Sequence, residues 1–277
     1  MIDRDAHDLY LDLMKRVLSY SLWEDPGIPI ETFIYKKSFL QRFLKKTLVK
    51  CLDIFGYQAV KIQKANESDK VEGRIWPRYA ETMIGLRRLD NIQFCIESVL
   101  SNNIQGDLIE AGVWRGGASI FMKAVLVANR SIDRRVFVAD SFEGLPRPDE
   151  KKYPLDRGDI HHTEKYLSVS IDEVKNNFLK YGLLDDKVIF LKSWFKDTLV
   201  SAPIEKLSVL RIDADMYEST NDVLVNLYPK LSDGGFCIID DYYNLKACRA
   251  AVEDYRTKEN VTSLIKGIDW SGVYWQK

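Results

Sequence analysis

Apolar positions recur every three or four residues along the first hundred residues, a spacing typical of helices that bury one face. This spacing predicts a helix near 9–22, a second near 38–55 and a third within 78–102. In the third helix Asp90 directly precedes the apolar face and is the expected N-cap. The N-terminal third of the chain is therefore predicted to be helical.

The second predicted helix combines an apolar face with many basic side chains. The residues of its apolar face are Phe39, Leu40, Phe43, Leu44, Thr47, Leu48 and Leu52. The basic residues around that face are Lys36, Lys37, Arg42, Lys45, Lys46 and Lys50. A basic amphipathic helix can bind an anionic membrane surface. The favoured interpretation is a solvated basic face on a helix that packs against the main domain or a second subunit.

From residue 107 onward, short apolar runs alternate with helical patterns. Strands are predicted over 107–110, 135–139, 187–191, 207–212 and 235–239, and a final aromatic strand over 269–275. Helices are predicted over 117–129, 171–181, 218–231 and 245–258. This alternation predicts an α/β fold with a Rossmann-like, mostly parallel sheet and helices on both of its faces.

The composition limits the classes of protein that fit this pattern. With 277 residues, 46% of them hydrophobic, the chain suits one α/β domain with appendages. A formal charge of −1, from 40 basic and 41 acidic residues, predicts no nucleic-acid partner. No apolar run approaches the roughly 20 residues of a membrane span, and no signal peptide is recognisable. The four cysteines form no C-x-x-C pair, so we expect a cytoplasmic protein.

Four carboxylates follow two of the predicted strands. Asp213 and Asp215 come after the fourth strand, and Asp240 and Asp241 come after the fifth. Such side chains converge at the carboxyl edge of a parallel sheet, where they would repel one another unless a hard cation such as Mg²⁺ were bound. Helix capping could account for one or two of these acids but not easily for all four. A metal there would lower the pKa of a coordinated hydroxyl, and a free carboxylate could take its proton.

Two further acids follow the first two strands. Glu110 precedes a turn that contains Gly112, Gly116 and Gly117, and Asp140 ends the second strand. The G-x-G-x-x-G signature of dinucleotide enzymes is absent, and Glu110 would repel a pyrophosphate. An ammonium group beside Glu110 and a ribose beside Asp140 fit better, which indicates an adenosyl ligand without phosphate. A plain strand-to-helix turn and a turn cap are the structural alternatives.

Six motifs in order carry a resemblance to a known family. They are TMIG at 82–85, LIEAGVWRGG at 108–117, DSFEGLP at 140–146, WFKDT at 194–198, DADMYEST at 213–220 and IDDY at 239–242. From about Arg78 onward the chain resembles the macrocin O-methyltransferases, which use S-adenosylmethionine and Mg²⁺ to methylate sugar hydroxyls of natural products. The resemblance implies a class I methyltransferase fold over 78–277, with an antiparallel C-terminal strand. It leaves 1–77 as a helical extension that serves the acceptor pocket or a homo-oligomer.

The same resemblance implies roles for individual residues. Asp213, Asp240 and Asp241 are the implied metal ligands, and Asp215 is the implied general base beside Asp213. The implied cofactor contacts are Thr82, Met83, Ile84, Glu110, Gly112, Gly116, Asp140, Ser141, Ser193, Trp194 and Asp213. Ser193 stands where the family is expected to have glycine, which leaves the adenine contact at that position open.

The polar segment 143–167 is long enough to form a lid over the strand ends. His161 and His162 lie within it, where the resemblance implies closure over a glycoside or polyol acceptor, and simple exposure is the alternative. Other functions stay open on the residues alone. They are methylation of a catechol or another vicinal diol, a nicotinamide-dependent oxidoreductase, and a catalytically silent binding protein.

Overall fold

The computed structural model describes residues 5–24, 28–30, 39–62 and 66–277. The first elements are α1 (Ala6–Leu18), β1 (Ile28–Pro29), α2 (Phe39–Ile54), β2 (Val60–Lys61), α3 (Glu67–Glu72) and α4 (Leu86–Ser101). They are followed by β3 (Asp107–Ala111), α5 (Gly117–Ala128), β4 (Val136–Asp140), α6 (Ile171–Lys180), β5 (Val188–Lys192), α7 (Phe195–Thr198) and β6 (Leu207–Ile212). The remaining elements are α8 (Tyr217–Leu227), β7 (Leu231–Ile239), α9 (Lys246–Lys258), β8 (Lys266–Gly267) and β9 (Val273–Gln276).

The main sheet of the described chain has seven strands in the order β5-β4-β3-β6-β7-β9-β8. The strands β3 to β7 pair in parallel, while β9 is antiparallel to both β7 and β8. The predicted Rossmann-like, mostly parallel sheet with an antiparallel C-terminal strand is confirmed. β3 and β6 are neighbours at the point where the strand order reverses, and open α/β sheets bind ligands beyond such a point.

Helices cover both faces of this sheet and create two apolar cores. One core joins the sheet to α1, α4 and α5, and Leu11, Ile92 and Phe121 are buried there. The other core lies beneath α8 and α9, with Val223 and Val252 buried in it. Every residue of β3 and β6 is buried. Burial on both faces explains why the apolar residues of these strands do not alternate with exposed polar ones. Glu110 and Arg211 are buried as well, and they pair with each other.

The third predicted helix begins before its predicted cap, so the assignment of Asp90 as the N-cap is wrong. α4 starts at Leu86, with Gly85 as the N-cap residue, so Asp90 lies inside the helix. There the exposed Asp90 pairs with Lys15 of α1. A β-carbon on Gly85 would lie 2.2 Å from the backbone nitrogen of Gly73. A close backbone contact at the end of α3, not a capping side chain, therefore marks where this helix begins.

Two other predicted elements differ from the structure near their ends. The helix predicted over 218–231 ends at Leu227, and a 3-10 turn (Tyr228–Lys230) leads directly into β7. β7 accordingly begins at Leu231 instead of residue 235. The predicted lid contains three further 3-10 turns, Pro154–Asp156, His161–Thr163 and Lys165–Leu167. Its chain is therefore locally ordered even though it has no long helix or strand.

The apolar face of α2 is largely uncovered in the described part of the chain. Phe43, Leu44 and Leu48 are exposed, so these side chains do not pack against the main domain as one interpretation of this helix expected. Packing against a second subunit stays a prediction. Lys36 and Lys37 lie outside the described residues, as do the side chains of the residues Phe39, Leu40, Arg42 and Lys45. None of the helices described is both long and apolar enough to cross a membrane.

Candidate active site

The carboxyl ends of the two central strands touch each other. Gly112, just after β3, has a φ of +87°, and a β-carbon there would lie 1.7 Å from the carbonyl oxygen of Asp213. The amide of Asp213 donates to the carbonyl of Ala111 at 2.8 Å, which continues the strand pairing into both loops. Only glycine fits this position. The predicted cofactor turn and the predicted metal loop are thus in direct backbone contact.

A buried arginine joins the acidic side chains at these strand ends. Arg211, in β6, is 1% exposed. Its guanidinium donates to Glu110 through Nη1 and to Asp240 through Nη2, and Nη2 also lies 3.1 Å from Asp213. Ser119 donates its hydroxyl to the other oxygen of Glu110. Fork-shaped guanidinium groups suit such multiple pairing, so Arg211 holds three carboxylates in one network.

A second buried arginine extends the network towards the C-terminus. Arg88 of α4 donates to Asp240 and, at 2.9 Å, to Asp269. Sequence reasoning missed both arginines and treated the acids as uncompensated, which is a correction to the charge argument for a metal. The signal that could have found Arg211 is a lone charged residue inside the apolar strand 207–212.

The donor set nevertheless fits a cation. Asp213, Asp240 and Asp241 each offer a carboxylate oxygen, and these oxygens lie within 4.8 Å of one another. Oδ2 of Asp241 is buried and has no hydrogen-bond partner within the described residues. An unpartnered buried oxygen beside two other carboxylates is the arrangement that a hard, oxygen-ligated ion such as Mg²⁺ would satisfy. The residues present therefore fit the predicted metal.

Burial and mutual repulsion shift the titration of these acids. Burial raises the pKa of Glu110 to about 7, although the charge of Arg211 and the hydrogen bond from Ser119 act in the opposite direction. Burial and the charge of Asp240 raise the pKa of Asp213 to about 8, although 31% of its side chain is exposed. Burial also raises the pKa of Asp241 well above its usual range. Carboxylates that are buried close together at one edge of the sheet repel one another, and this repulsion favours binding of a cation.

Asp215, the predicted base, lies beside the three predicted metal ligands in a left-handed backbone conformation with φ +56°. Burial raises the pKa of this half-buried carboxyl, and the charge of His161 opposes that shift. Nδ1 of His161 lies 2.8 Å from Asp159, and this hydrogen bond raises the pKa of the imidazole. Strained backbone at a non-glycine residue is typical of functional sites. His161 and the exposed His162 both line the cavity described next.

A cavity of about 630 Å³ opens at these strand ends. The predicted site residues that line it are Thr82, Met83, Ile84, Glu110, Gly112, Asp140, Ser141, Trp194, Asp213, Asp215, Asp240 and Asp241. A cavity of this size, lined by apolar groups with a few convergent polar ones, is typical of small-molecule sites. The structure therefore brings the predicted cofactor, metal and base residues to one place.

Gly116 and Ser193 are the two predicted cofactor residues that do not line this main cavity. Gly116 has a φ of +85° before α5, and a β-carbon there would lie 2.7 Å from Val174. This glycine is required by helix packing. Ser193 lines a second cavity of about 160 Å³, which shares Ser141 and Trp194 with the main one.

The carboxylate of Asp140 is already engaged by backbone amides. Val113 donates its amide at 2.8 Å to one oxygen, and Phe142 donates at 2.7 Å to the other. The turn cap that the sequence left open is thus present. Each carboxylate oxygen can accept a further bond, so this cap and a ribose contact are compatible.

Arg115 clamps the segment that carries the predicted cofactor residues 82–84. Its Nη1 donates to the backbone carbonyls of Arg78 at 2.7 Å and Ala80 at 2.9 Å. The amide of Gly117 donates to the carbonyl of Glu81 at 2.9 Å. Sequence reasoning did not single out Arg115, because a bond from a side chain to a distant backbone leaves no residue pattern.

Aromatic side chains also line the cavity, and the sequence analysis overlooked them. Trp76, Trp114, Tyr166 and Trp270 face it from the N-terminal segment, the β3 turn, the lid and the C-terminal loop. Nε1 of Trp114 donates to the lid at the carbonyl of Tyr166 at 2.8 Å. The end of the segment predicted as an extension therefore contributes directly to the cavity wall.

Comparison with known proteins places this site in a family. Residues 7–277 match the family model for Macrocin-O-methyltransferase (TylF). The chain is 47% identical over 273 residues to 8-demethyl-8-(2,3-dimethoxy-alpha-L-rhamnosyl)-tetracenomycin-C 4'-O-methyltransferase of Streptomyces olivaceus, covering 98% of this chain and 94% of that protein. It is 46% identical to demethyldecarbamoylnovobiocin O-methyltransferase of Streptomyces niveus, over 97% of this chain and 93% of the relative.

Solved structures agree with the sequence comparison. The O-methyltransferase NovP superimposes with a TM-score of 0.82 at 44% identity, over 98% of this chain and 99% of its own. Calicheamicin methyltransferase CalS11 matches with a TM-score of 0.58 at 16% identity, over 69% of this chain and 79% of its own. The second likeness supports the fold alone.

The family match begins at residue 7, so the expectation that the resemblance starts near Arg78 is wrong. The buried residues Leu11, Met14 and Leu18 make α1 part of the core, which explains why similarity extends into it. The predicted class I methyltransferase fold and O-methyltransferase activity are confirmed, and the nicotinamide alternative is set aside. The chain belongs to the macrocin O-methyltransferase family.

Proposed function

We propose that this enzyme transfers the methyl group of S-adenosylmethionine to a hydroxyl of a sugar on a glycosylated natural product, with Mg²⁺ held by Asp213, Asp240 and Asp241. The observation that carries the proposal is the convergence of these three carboxylates with Asp215 in the wall of one cavity. The relatives support the acceptor class, since the names of two of them specify a rhamnosyl-tetracenomycin and a novobiocin derivative.

The cofactor is proposed to bind along the β3 and β4 side of the cavity. Glu110 would receive the ammonium group, Asp140 the ribose, and Trp194 the adenine. Thr82, Met83, Ile84, Gly112 and Ser141 line the same cavity, whereas Ser193 lines the smaller cavity and Gly116 packs against Val174. The contact between Gly112 and Asp213 then places the methyl donor close to the proposed metal ligands.

The loop that carries Asp213 and Asp215 is proposed to help activate the acceptor hydroxyl. Bound Mg²⁺ would lower the pKa of the acceptor hydroxyl and fix its direction. Asp215 would take the hydroxyl proton, since it lies next to the proposed metal ligands and is not itself one of them. Alignment of this oxygen with the methyl group supplies much of the rate, because methyl transfer is an in-line displacement.

The test is methyl transfer by the purified protein from labelled S-adenosylmethionine to matched acceptors. Demethyldecarbamoylnovobiocin should be methylated, while its sugar-free aglycone should not. A catechol serves as the alternative acceptor, and methylation of the catechol alone would overturn the sugar assignment. EDTA should stop turnover and added Mg²⁺ should restore it. Full activity in metal-free buffer would refute the metal assignment.

The domain division and the assembly are also proposals. We infer that residues 1–77 form a helical extension to the methyltransferase domain at 78–277, with α1 packed into the core of that domain, and that this extension mediates a homo-oligomer. Leu9, Leu13, Phe43, Leu44 and Leu48 support this inference, since all five are exposed on α1 and α2. Light scattering after chromatography should find an oligomer that Leu48→Glu weakens. A cytoplasmic location fits four free thiols and is tested by cell fractionation.

A further inference from the structure

Asp156 is a nearly fully buried acid in the middle of the lid. It is 2% exposed, although most of its neighbours in the segment are polar and exposed. One carboxylate oxygen accepts the amide of Tyr217 at 2.6 Å, and the other accepts the amide of Glu218 at 3.1 Å. These are the first two residues of α8, 61 and 62 positions further along the chain.

The helix α8 has no cap of its own at this end. Its N-cap residue, Met216, makes no side-chain hydrogen bond to the first turn. The first amides of a helix have no partner within the helix, and a carboxylate is among the groups that best satisfy them. The lid therefore provides the cap that α8 lacks.

The first turn of α8 directly follows the loop that carries Asp213 and Asp215. Asp215 lies two residues before α8, in its left-handed conformation, and the amide of Met216 donates to the carbonyl of Ala214 at 2.6 Å. Asp213 lies at the other end of the same tight turn. Glu218, in the first turn of α8, also lines the cavity. A shift of the first turn of α8 would consequently move the acids that face the acceptor.

We infer that Asp156 is a positioning residue, which couples closure of the lid to the placement of the Asp213–Asp215 turn by capping α8 from the lid. This inference rests on the proposed function only for its effect on methyl transfer, because the cap itself is a property of the fold. Closure of the lid over an acceptor and correct placement of the base become one event. An open lid leaves the first turn of α8 uncapped and the acids less well ordered.

Three variants test this inference. Asp156→Ala removes both acceptor oxygens, whereas Asp156→Asn keeps one of them and remains a good capping residue. The matched control is Asp149→Ala, since the exposed carboxylate of Asp149 accepts amides of the lid itself, those of Lys151 at 3.2 Å and Lys152 at 3.1 Å, and not the amides of Tyr217 and Glu218 that Asp156 binds. The readouts are amide-resolved hydrogen exchange at Tyr217 and Glu218, calorimetry with S-adenosylmethionine, and kcat with demethyldecarbamoylnovobiocin.

Asp156→Ala is expected to accelerate exchange at both amides and to lower kcat by about 10- to 100-fold, as a small misplacement of reacting groups does. Its affinity for S-adenosylmethionine should stay near that of the wild type. Asp156→Asn should have a kcat between those of the wild type and Asp156→Ala, with faster exchange at one of the two amides. This variant tests the inference if the alanine variant does not fold. Asp149→Ala should change neither the hydrogen exchange at the amides of Tyr217 and Glu218 nor kcat.

Two results would overturn the inference. One is exchange at Tyr217 and Glu218 that is the same in the Asp156 variants as in Asp149→Ala. The other is a loss of cofactor affinity that parallels the loss of kcat, which would make Asp156 merely structural. If the wild type methylates no glycoside, the proposed function fails, but the exchange experiment still tests the cap.

Discussion

Glu110 and Asp240 are bound by the same guanidinium, since Nη1 of Arg211 donates to one carboxylate and Nη2 to the other. Glu110 belongs to the proposed cofactor side of the cavity, and Asp240 belongs to the proposed metal side. One buried cation therefore links two acids that are proposed to serve different ligands. Removal or titration of any member should affect both halves of the site.

Replacement of Arg211 by methionine should destabilise the fold strongly. The variant leaves Glu110 and Asp240 buried without this cation, and loss of one partner of a buried ion pair costs about 3–5 kcal/mol. Urea denaturation of the protein without ligand measures the change. Arg249→Met is the control, because its pair with Glu253 is exposed and should contribute little. Equal unfolding free energies for the two variants would contradict the network.

Affinity for S-adenosylmethionine should depend on pH through Glu110. Burial raises the pKa of this carboxyl to about 7, so the carboxylate that would pair with an ammonium group is lost as the pH falls below 7. The ligand's own α-amino group loses its charge above roughly pH 8. Calorimetry across pH should therefore find the tightest binding between these limits. Glu110→Gln should bind S-adenosylmethionine weakly, and its affinity should no longer fall as the pH drops below 7. If the affinity of that variant still fell below pH 7, Glu110 would not be the cause.

Asp213→Asn should abolish methyl transfer while binding of S-adenosylmethionine survives. The amide keeps the size of the side chain and can still accept from Arg211, but it is a poor ligand for Mg²⁺. Calorimetry with the cofactor and a methyl-transfer assay are the paired measurements. A cofactor affinity that falls as far as the activity would show that the proposed division between metal and cofactor residues is incorrect.

Gly112→Ala should prevent the two central loops from meeting. The added carbon would lie 1.7 Å from the carbonyl oxygen of Asp213, so the backbone would have to separate. Gly182→Ala is the matched control, because Gly182 also has a positive φ (+66°) but open space around it. The control should lose only about 1–2 kcal/mol. Thermal melting should show a far larger loss for Gly112→Ala, and similar losses would contradict the close contact.

The strands and the strand-end acids could be predicted because burial imposes a local pattern. β6 was predicted over 207–212 and is Leu207–Ile212, since a strand buried on both faces is a run of apolar residues bounded by polar ones. The positions of Asp240 and Asp241 could be predicted as well, because the residues that follow a parallel strand lie at the sheet edge where ligands bind.

What could not be predicted depends on contacts between distant residues. Asp156 is one acid among many in a polar segment, and only the fold brings it to an amide 61 residues away. Asp90 had the right type and spacing for a cap, but the contact between Gly73 and Gly85 sets the start of that helix. Local pattern cannot reveal either contact, since neither changes the periodicity around it.

The C-terminal loop joins the cavity to the beginning of the chain. Nε1 of Trp270 donates to the carbonyl of Glu72 at 2.7 Å, and Asp269 pairs with Arg88. During synthesis the N-terminal segments emerge and fold first. A nascent chain that has not yet reached residue 268 lacks β9, the Asp269 partner of Arg88 and the Trp270 indole that binds Glu72. The wall of the cavity therefore includes residues translated long after the ones they contact, so this part of the site cannot form before residue 270 has emerged.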